Sequence, residues 1–243
     1  MELVDIEQLI TAGVHFGHRT KRWNPKMKKY IFGKRNGVHI IDLRQTQEAL
    51  KRAYEAVVRV AEQGKGILFV GTKKQAKDII KEEAQRGGIF YVTERWLGGL
   101  LTNFETLNQR VHRLREFEQM KEDGRWALLP KKELSRAERQ FSKLLKYFQG
   151  IKEMDRLPGL VFIIDIKKDV TALREAKRKN IPIVAMVDTN VDPTDVTYPI
   201  PANDDSIRSI ALITKIITDA VVEGRKGFET EEEVKEEYGS GKS

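Results

Sequence analysis

The chain has 243 residues, 40% of them apolar and 8% aromatic, with a formal net charge of +8. That is enough apolar material for one large domain or a domain with an insertion. Cysteine is absent, which excludes disulfides, thiolate metal sites and cysteine nucleophiles together.

The first feature met along the chain is electrostatic. No acidic residue occurs between Glu7 and Asp42, and Arg19, Lys21, Arg22, Lys26, Lys28, Lys29, Lys34 and Arg35 crowd into one segment, with Trp23, Tyr30 and Phe32 among them. Such a block repels itself and gains nothing from folding alone, so it calls for an anionic partner. Phosphate backbones are the commonest match, because neutralising them releases condensed counterions. Aromatic rings set among the cations can stack on bases. Asn36-Gly37 between Tyr30-Ile-Phe-Gly-Lys-Arg35 and Val38-His-Ile-Ile41 is a strong hairpin signal. A stiff ribbon would display several cations at a lower ordering cost than a loose arm.

A helix is predicted over about 45–63, then four short apolar runs read as strands: Ile67–Val70, Ile89–Val92, Leu160–Ile164 and Ile183–Val187. They are continuous rather than alternating and rich in β-branched residues, as in a parallel sheet covered on both faces. Helical patterns over about 73–86, 169–179 and 206–223 separate or follow them. Gly87-Gly88 closes the first of these, and Asn180 with Pro182 closes the second. The alternation predicts a doubly wound α/β fold. Between about 101 and 150 it breaks off. There Phe104, Leu107, Val111, Leu114 and Phe117, then Leu134, Ala137, Phe141, Leu144 and Phe148, recur at spacings of three and four around a turn-rich connector. These narrow stripes predict an inserted antiparallel coiled-coil hairpin. The expected organisation is 1–102 for the basic hairpin and first part of the α/β domain, 103–150 for the insert, 151–228 for the second part, and 229–243 for an acidic disordered tail.

Few motifs carry catalytic chemistry. Gly66-Ile-Leu-Phe-Val-Gly71-Thr72-Lys73 has the wrong order after its second glycine for a phosphate loop, and its middle is the apolar centre of a strand. Lys73 and Lys74 can still stand at a helix start beside a backbone phosphate. His15 and His18 have no third ligand nearby in sequence. Asp165 and Asp188 follow strands, at the carboxyl edge where doubly wound sheets bind ligands. With Asp192, Asp204 and Asp205 they could assemble a cation site, with or without a histidine. The competing reading is that Asp204 or Asp205 caps the last helix and the others order loops. Arg95-Trp-Leu-Gly-Gly-Leu-Leu-Thr-Asn-Phe104 is distinctive but reads as a structural junction, with Trp96 as anchor and Thr102-Asn103 capping the helix that follows. There is no nucleophile elbow, zinc-protease motif or dinucleotide fingerprint. No apolar run approaches the length of a membrane span, and the start Met1-Glu-Leu-Val-Asp5 lacks signal-peptide character, so a cytoplasmic location is expected.

Several of these segments resemble the bacterial small-subunit ribosomal protein S-two family. They are Leu9-Ile-Thr-Ala-Gly-Val-His-Phe-Gly-His18, Arg22-Trp-Asn-Pro-Lys-Met27, the stretch Arg95–Phe104, Pro158–Asp165, Ile181–Asn190 and Ile200–Ser206. The resemblance runs in order from about residue 3 to 223. It implies a flavodoxin-like sheet with an inserted coiled-coil hairpin and a structural role in the small subunit. It also implies binding to ribosomal RNA and to neighbouring ribosomal proteins, including help in attaching the messenger-binding protein S-one. No enzymatic activity, membrane contact or obligatory cofactor is implied. Some members hold a metal ion, which keeps the aspartates of interest. The cations from Arg19 to Arg35 are the expected phosphate contacts, with Trp23 packing or stacking.

Overall fold

The computed structural model describes residues 3–239, and side chains as far as residue 228. A short helix, α1 (Ile6–Thr11), opens it, its first turn closed by a reciprocal capping box between Asp5 and Gln8. Three strands then form a small antiparallel sheet: β1 (Phe16–Arg19), β2 (Ile31–Arg35) and β3 (Val38–Ile41), in the order β1-β3-β2. The β2–β3 turn has Asn36 at φ 50° and Gly37 at φ 74°. Two successive left-handed residues match the twist of the flanking strands, which is why Asn-Gly reads so clearly.

The main sheet has five parallel strands in the order β5-β4-β6-β7-β8: β4 (Ile67–Val70), β5 (Phe90–Val92), β6 (Leu160–Ile163), β7 (Ile183–Val187) and β8 (Tyr198–Pro201). This is the flavodoxin-like order, with its reversal between β4 and β6. Alternate residues feed two cores. Ile67, Phe69, Leu160, Phe162, Val184 and Met186 pack toward α2 (Leu43–Glu62), α3 (Lys77–Gly87) and α7 (Ile207–Gly239). Leu68, Val70, Val161, Ile163, Ala185 and Val187 pack toward α6 (Val170–Arg178) and the feet of α4 (Phe104–Glu122) and α5 (Lys131–Phe148). Both faces are covered, so neither can be polar. The runs are continuous for that reason.

α4 and α5 occupy the span where the sequence predicts the coiled-coil hairpin. They bury Leu107, Val111, Leu114, Phe117, Leu144 and Phe148 between themselves and the sheet. At the far end the turn Arg125–Leu128 tucks Trp126 edge-on against Phe117 (5.6 Å) and Phe141 (5.8 Å), and Lys121 lies 3.6 Å above the Phe141 ring.

Five expectations need amendment. β8 was not anticipated, because Pro199 and Pro201 argue against a strand; at a sheet edge their missing donors cost little. α3 begins at Lys77 rather than near Lys73; the residues between form a turn in which the Lys73 carbonyl accepts from the amides of Ala76 and Lys77. Thr102 and Asn103 do not cap α4: the Thr102 hydroxyl donates to Glu175, and Asn103 accepts from Thr106. Neither Asp204 nor Asp205 caps α7. The Ser206 hydroxyl accepts from the Ser209 amide, and Asn203 accepts from the amides of Asp205 and Ser206. Finally α7 continues as helical backbone to Gly239, through the acidic stretch expected to be a disordered tail. Glu and Lys are good helix formers and simply extend it. Residues 240–243 of that expected tail lie outside the described residues.

Candidate nucleic-acid interface and the carboxylate cluster beneath it

The basic segment is held by apolar pins. Pro25–Tyr30 is a 3₁₀ turn, whose repeat of three puts Met27 and Tyr30 on one side, and both are buried. Lys26, Lys28 and Lys29 are consequently turned outward. Arg19 ends β1, Lys21 and Arg22 lie in the 3₁₀ turn Thr20–Arg22, and Lys34 and Arg35 end β2; all eight cations are exposed. Lys26 is paired with Asp192 at 2.6 Å. Among the described residues the other seven form no ion pair. Lys29 stands 4.7 Å from the Tyr30 ring centre. Trp23 is half-buried, its ring tilted 43° against His39 at 5.2 Å, so one face is committed to packing. Phe32 is 80% exposed.

This platform is docked on the carboxyl edge of the main sheet through Thr189, just past β7. The Thr189 hydroxyl accepts from the His18 amide (2.8 Å), and its carbonyl accepts from the Asn24 amide (2.7 Å). Gly17 permits the approach: a Cβ there would stand 2.5 Å from Thr189 Cγ2.

Beneath the platform lies a cluster of carboxylates. His18 Nδ1 is 3.0 Å from Asp188, and its Nε2 is 3.4 Å from Asp205. The hydrogen bond to Asp188 raises the imidazole pKa despite burial. Ligand atoms of His18, Asp188, Asp204 and Asp205 all lie within 4.8 Å of one another. Burial, and then repulsion from Asp188 and Asp165, pushes the Asp204 carboxyl up to about 7. Lys73 partly offsets this. Its ammonium sits 2.8 Å from Asp204, 2.6 Å from Asp205 and 3.2 Å from Asp165, with only 12% of its side chain exposed. Burial alone would lower the Lys73 pKa, but the three carboxylates raise it. Lys73, expected beside a phosphate, is therefore occupied internally, while Lys74 is exposed. Asp192 lies outside the cluster, bonded to Lys26 and Thr194, which hold its carboxyl at about 2.

Lys73 and its neighbours also fill the crevice where the strand order reverses. The Thr72 amide and hydroxyl donate to Asp169 (3.2 and 2.8 Å), and the Lys168 ammonium donates to the Thr72 carbonyl (3.1 Å). In open α/β sheets this is the usual ligand position.

One organising residue was missed in the sequence. Glu175 is buried on α6 among Ala172, Leu173 and Ala176. It accepts from Trp96 Nε1 (3.0 Å), the amides of Gly99 (2.7 Å), Leu101 (3.0 Å) and Thr102 (3.2 Å), and the Thr102 hydroxyl (3.1 Å). Burial would raise its pKa, but these donors outweigh burial and hold it low. The stretch Arg95–Phe104 is thus wrapped around a carboxylate. A lone Glu inside the apolar stripe of a helix was the available signal.

The geometry is that of a scaffold bearing a cationic face. A family model described as ribosomal protein S2 matches residues 9–224, a span containing both sheets and the helical hairpin. The chain belongs to the ribosomal protein S2 family, whose members serve as structural proteins of the small ribosomal subunit in translation.

Proposed function

We propose that this protein binds small-subunit ribosomal RNA through the N-terminal platform, with Arg19, Lys21, Arg22, Lys28, Lys29, Lys34 and Arg35 on phosphates. Lys26 joins them by exchanging Asp192 for RNA. The observation that carries this reading is a dense set of exposed cations lacking internal counter-charges, mounted on a pinned sheet. Lys74 is a peripheral contact, and Trp23 orients the platform by packing on His39. Backbone and shape contacts dominate over base readout if the RNA is folded.

The test is the salt dependence of RNA binding by the full chain. Six or more engaged phosphates would weaken affinity roughly 10³–10⁵-fold between 50 and 200 mM salt. Lys28→Ala with Lys29→Ala flattens the log–log slope by about one to two units. An unchanged slope refutes the assignment to this face.

Attachment of the messenger-binding protein S-one belongs to the same reading, supported by the family; co-sedimentation with small subunits containing or lacking this chain tests it. The site of action is the cytoplasmic ribosome, and no catalytic turnover is expected.

A divalent cation held by His18, Asp188, Asp204 and Asp205 is a secondary proposal. Its support is the mixed nitrogen–oxygen donor set and an excess of carboxylate over Lys73 and His18. The ion would cross-link β1 to the carboxyl edge. Metal analysis of purified protein should find about one ion per chain, lost in Asp188→Asn; metal-free protein whose melting ignores added divalent ions rules it out.

A further inference from the structure

A second cationic surface lies at the foot of the helical hairpin, lined by none of the residues of the N-terminal platform. There α4 and α5 enclose an open groove of about 730 Å³, within the roughly 300–1,000 Å³ range of small-ligand clefts. Its floor is apolar, formed by Leu97, Tyr147 and the buried Phe148. Its rim carries Arg95, Arg110 and Lys143, all exposed and, among the described residues, without an ion pair. Arg113 also lines the groove, but it is already bound to Glu116 (2.6 Å) and lies over the Phe117 ring at 4.4 Å. No acidic side chain contributes to the lining.

The local sequence explains the opening. On α4 the apolar stripe Leu107, Val111, Leu114 faces the core, and the neighbouring stripe carries Arg110 and Arg113 one turn apart. On α5 Lys143 and Tyr147 stand one turn apart beside Leu144 and Phe148. Arg110 and Lys143 stand on facing walls of the groove, and the repulsion of their like charges favours an anion between them over direct approach. An aromatic and aliphatic floor beneath separated cations suits a flat base with phosphates on either side. Stacking supplies about 1–3 kcal/mol per base and tolerates any sequence. An extended acidic peptide would satisfy the rim but offers the Tyr147 ring a flat partner only where it carries an aromatic residue, whereas every nucleotide carries one.

We propose that this groove receives an unstacked nucleotide of a single-stranded RNA segment, its base against Tyr147 and its flanking phosphates on Arg95, Arg110 and Lys143. The inference rests on the RNA-binding reading above and adds a surface that the N-terminal platform does not contain. It gives the chain two footholds on one RNA, both built on the face of the main sheet whose core holds Met27 and Tyr30 as well as Leu144 and Phe148.

The experiment uses the full chain and a single-stranded uridine-rich RNA dodecamer carrying 4-thiouridine as photoprobe. Irradiation should yield an adduct in the peptide containing Tyr147. The double variant Arg110→Ala with Lys143→Ala should abolish that adduct, spare adducts on residues 19–35, and flatten the salt slope by about 1.4 units at 0.7 per cation. Both positions are exposed, and an unchanged circular dichroism spectrum verifies the fold. Adducts confined to residues 19–35, or an unaltered slope, overturn the proposal. Protection of Tyr147 by poly-glutamate but not by unlabelled RNA overturns it in favour of an acidic protein partner. Comparison with Lys28→Ala/Lys29→Ala separates the two readings. A slope responding only to the hairpin variant removes the N-terminal assignment, and one responding only to the lysine variant removes the groove.

Discussion

At the residue scale, the groups that matter divide by how far away their partners lie. The cations from Arg19 to Arg35 were legible in the sequence because their meaning is local: charge accumulates along a few turns with no acid to cancel it. Glu175 was not, because Trp96 lies 79 residues away and only the fold unites them. The same holds for Lys73, whose partner Asp204 is 131 residues distant. Glu175→Ala should leave several buried donors without an acceptor, at about 1–3 kcal/mol for each group left unsatisfied. A denaturant titration should show the midpoint falling by that route, with RNA affinity per folded molecule retained at the N-terminal platform. Glu175 also makes a pH prediction. Its folded pKa is depressed, so its stabilisation is complete above the ordinary carboxylate value of 4.5 and is lost as pH falls through the lower folded value. Wild-type melting should therefore drop more steeply below pH 4.5 than that of Glu175→Ala.

At the scale of elements, β4, β6 and β7 were legible because burial on two faces writes itself as an unbroken apolar run. The Asn36-Gly37 hairpin was legible because its backbone geometry demands those residue types. β1 escaped: Phe-Gly-His-Arg has no run and no alternation, and it is a strand only because β3 and Thr189 receive it. Its docking depends on a missing side chain. Gly17→Ala would drive a methyl into Thr189, with the His39 carbonyl 3.1 Å behind. Overpacking of this kind costs roughly 1–3 kcal/mol. Because β1 and β3 move together, hydrogen exchange should quicken in β1, β2 and β3 while β4 and β6 keep their protection. Uniform quickening across both sheets would mean the small sheet is not a separate unit.

At the scale of the whole molecule, charge is arranged in layers. Unpaired cations face outward from the small sheet and from the groove of the hairpin, while the carboxylates of Asp165, Asp188 and Asp204 are gathered inside. The net charge of +8 understates the outward field, since interior acids near Lys73 cancel cations in the sum without screening the surface. Association with RNA should accordingly slow as ionic strength rises, a trend stopped-flow mixing can follow. Neutralising Lys73 should change that rate little. The larger effect of such a change is inside. An α/β sheet of this winding leaves a berth at its carboxyl edge that elsewhere awaits a passing guest. In this chain the berth has a permanent resident, an ammonium group tethered by its own backbone, so the scaffold carries part of its counter-charge with it. Shorten that tether and the molecule would have to draw all of that positive charge from the surrounding medium, making the joint depend wholly on the ions around it.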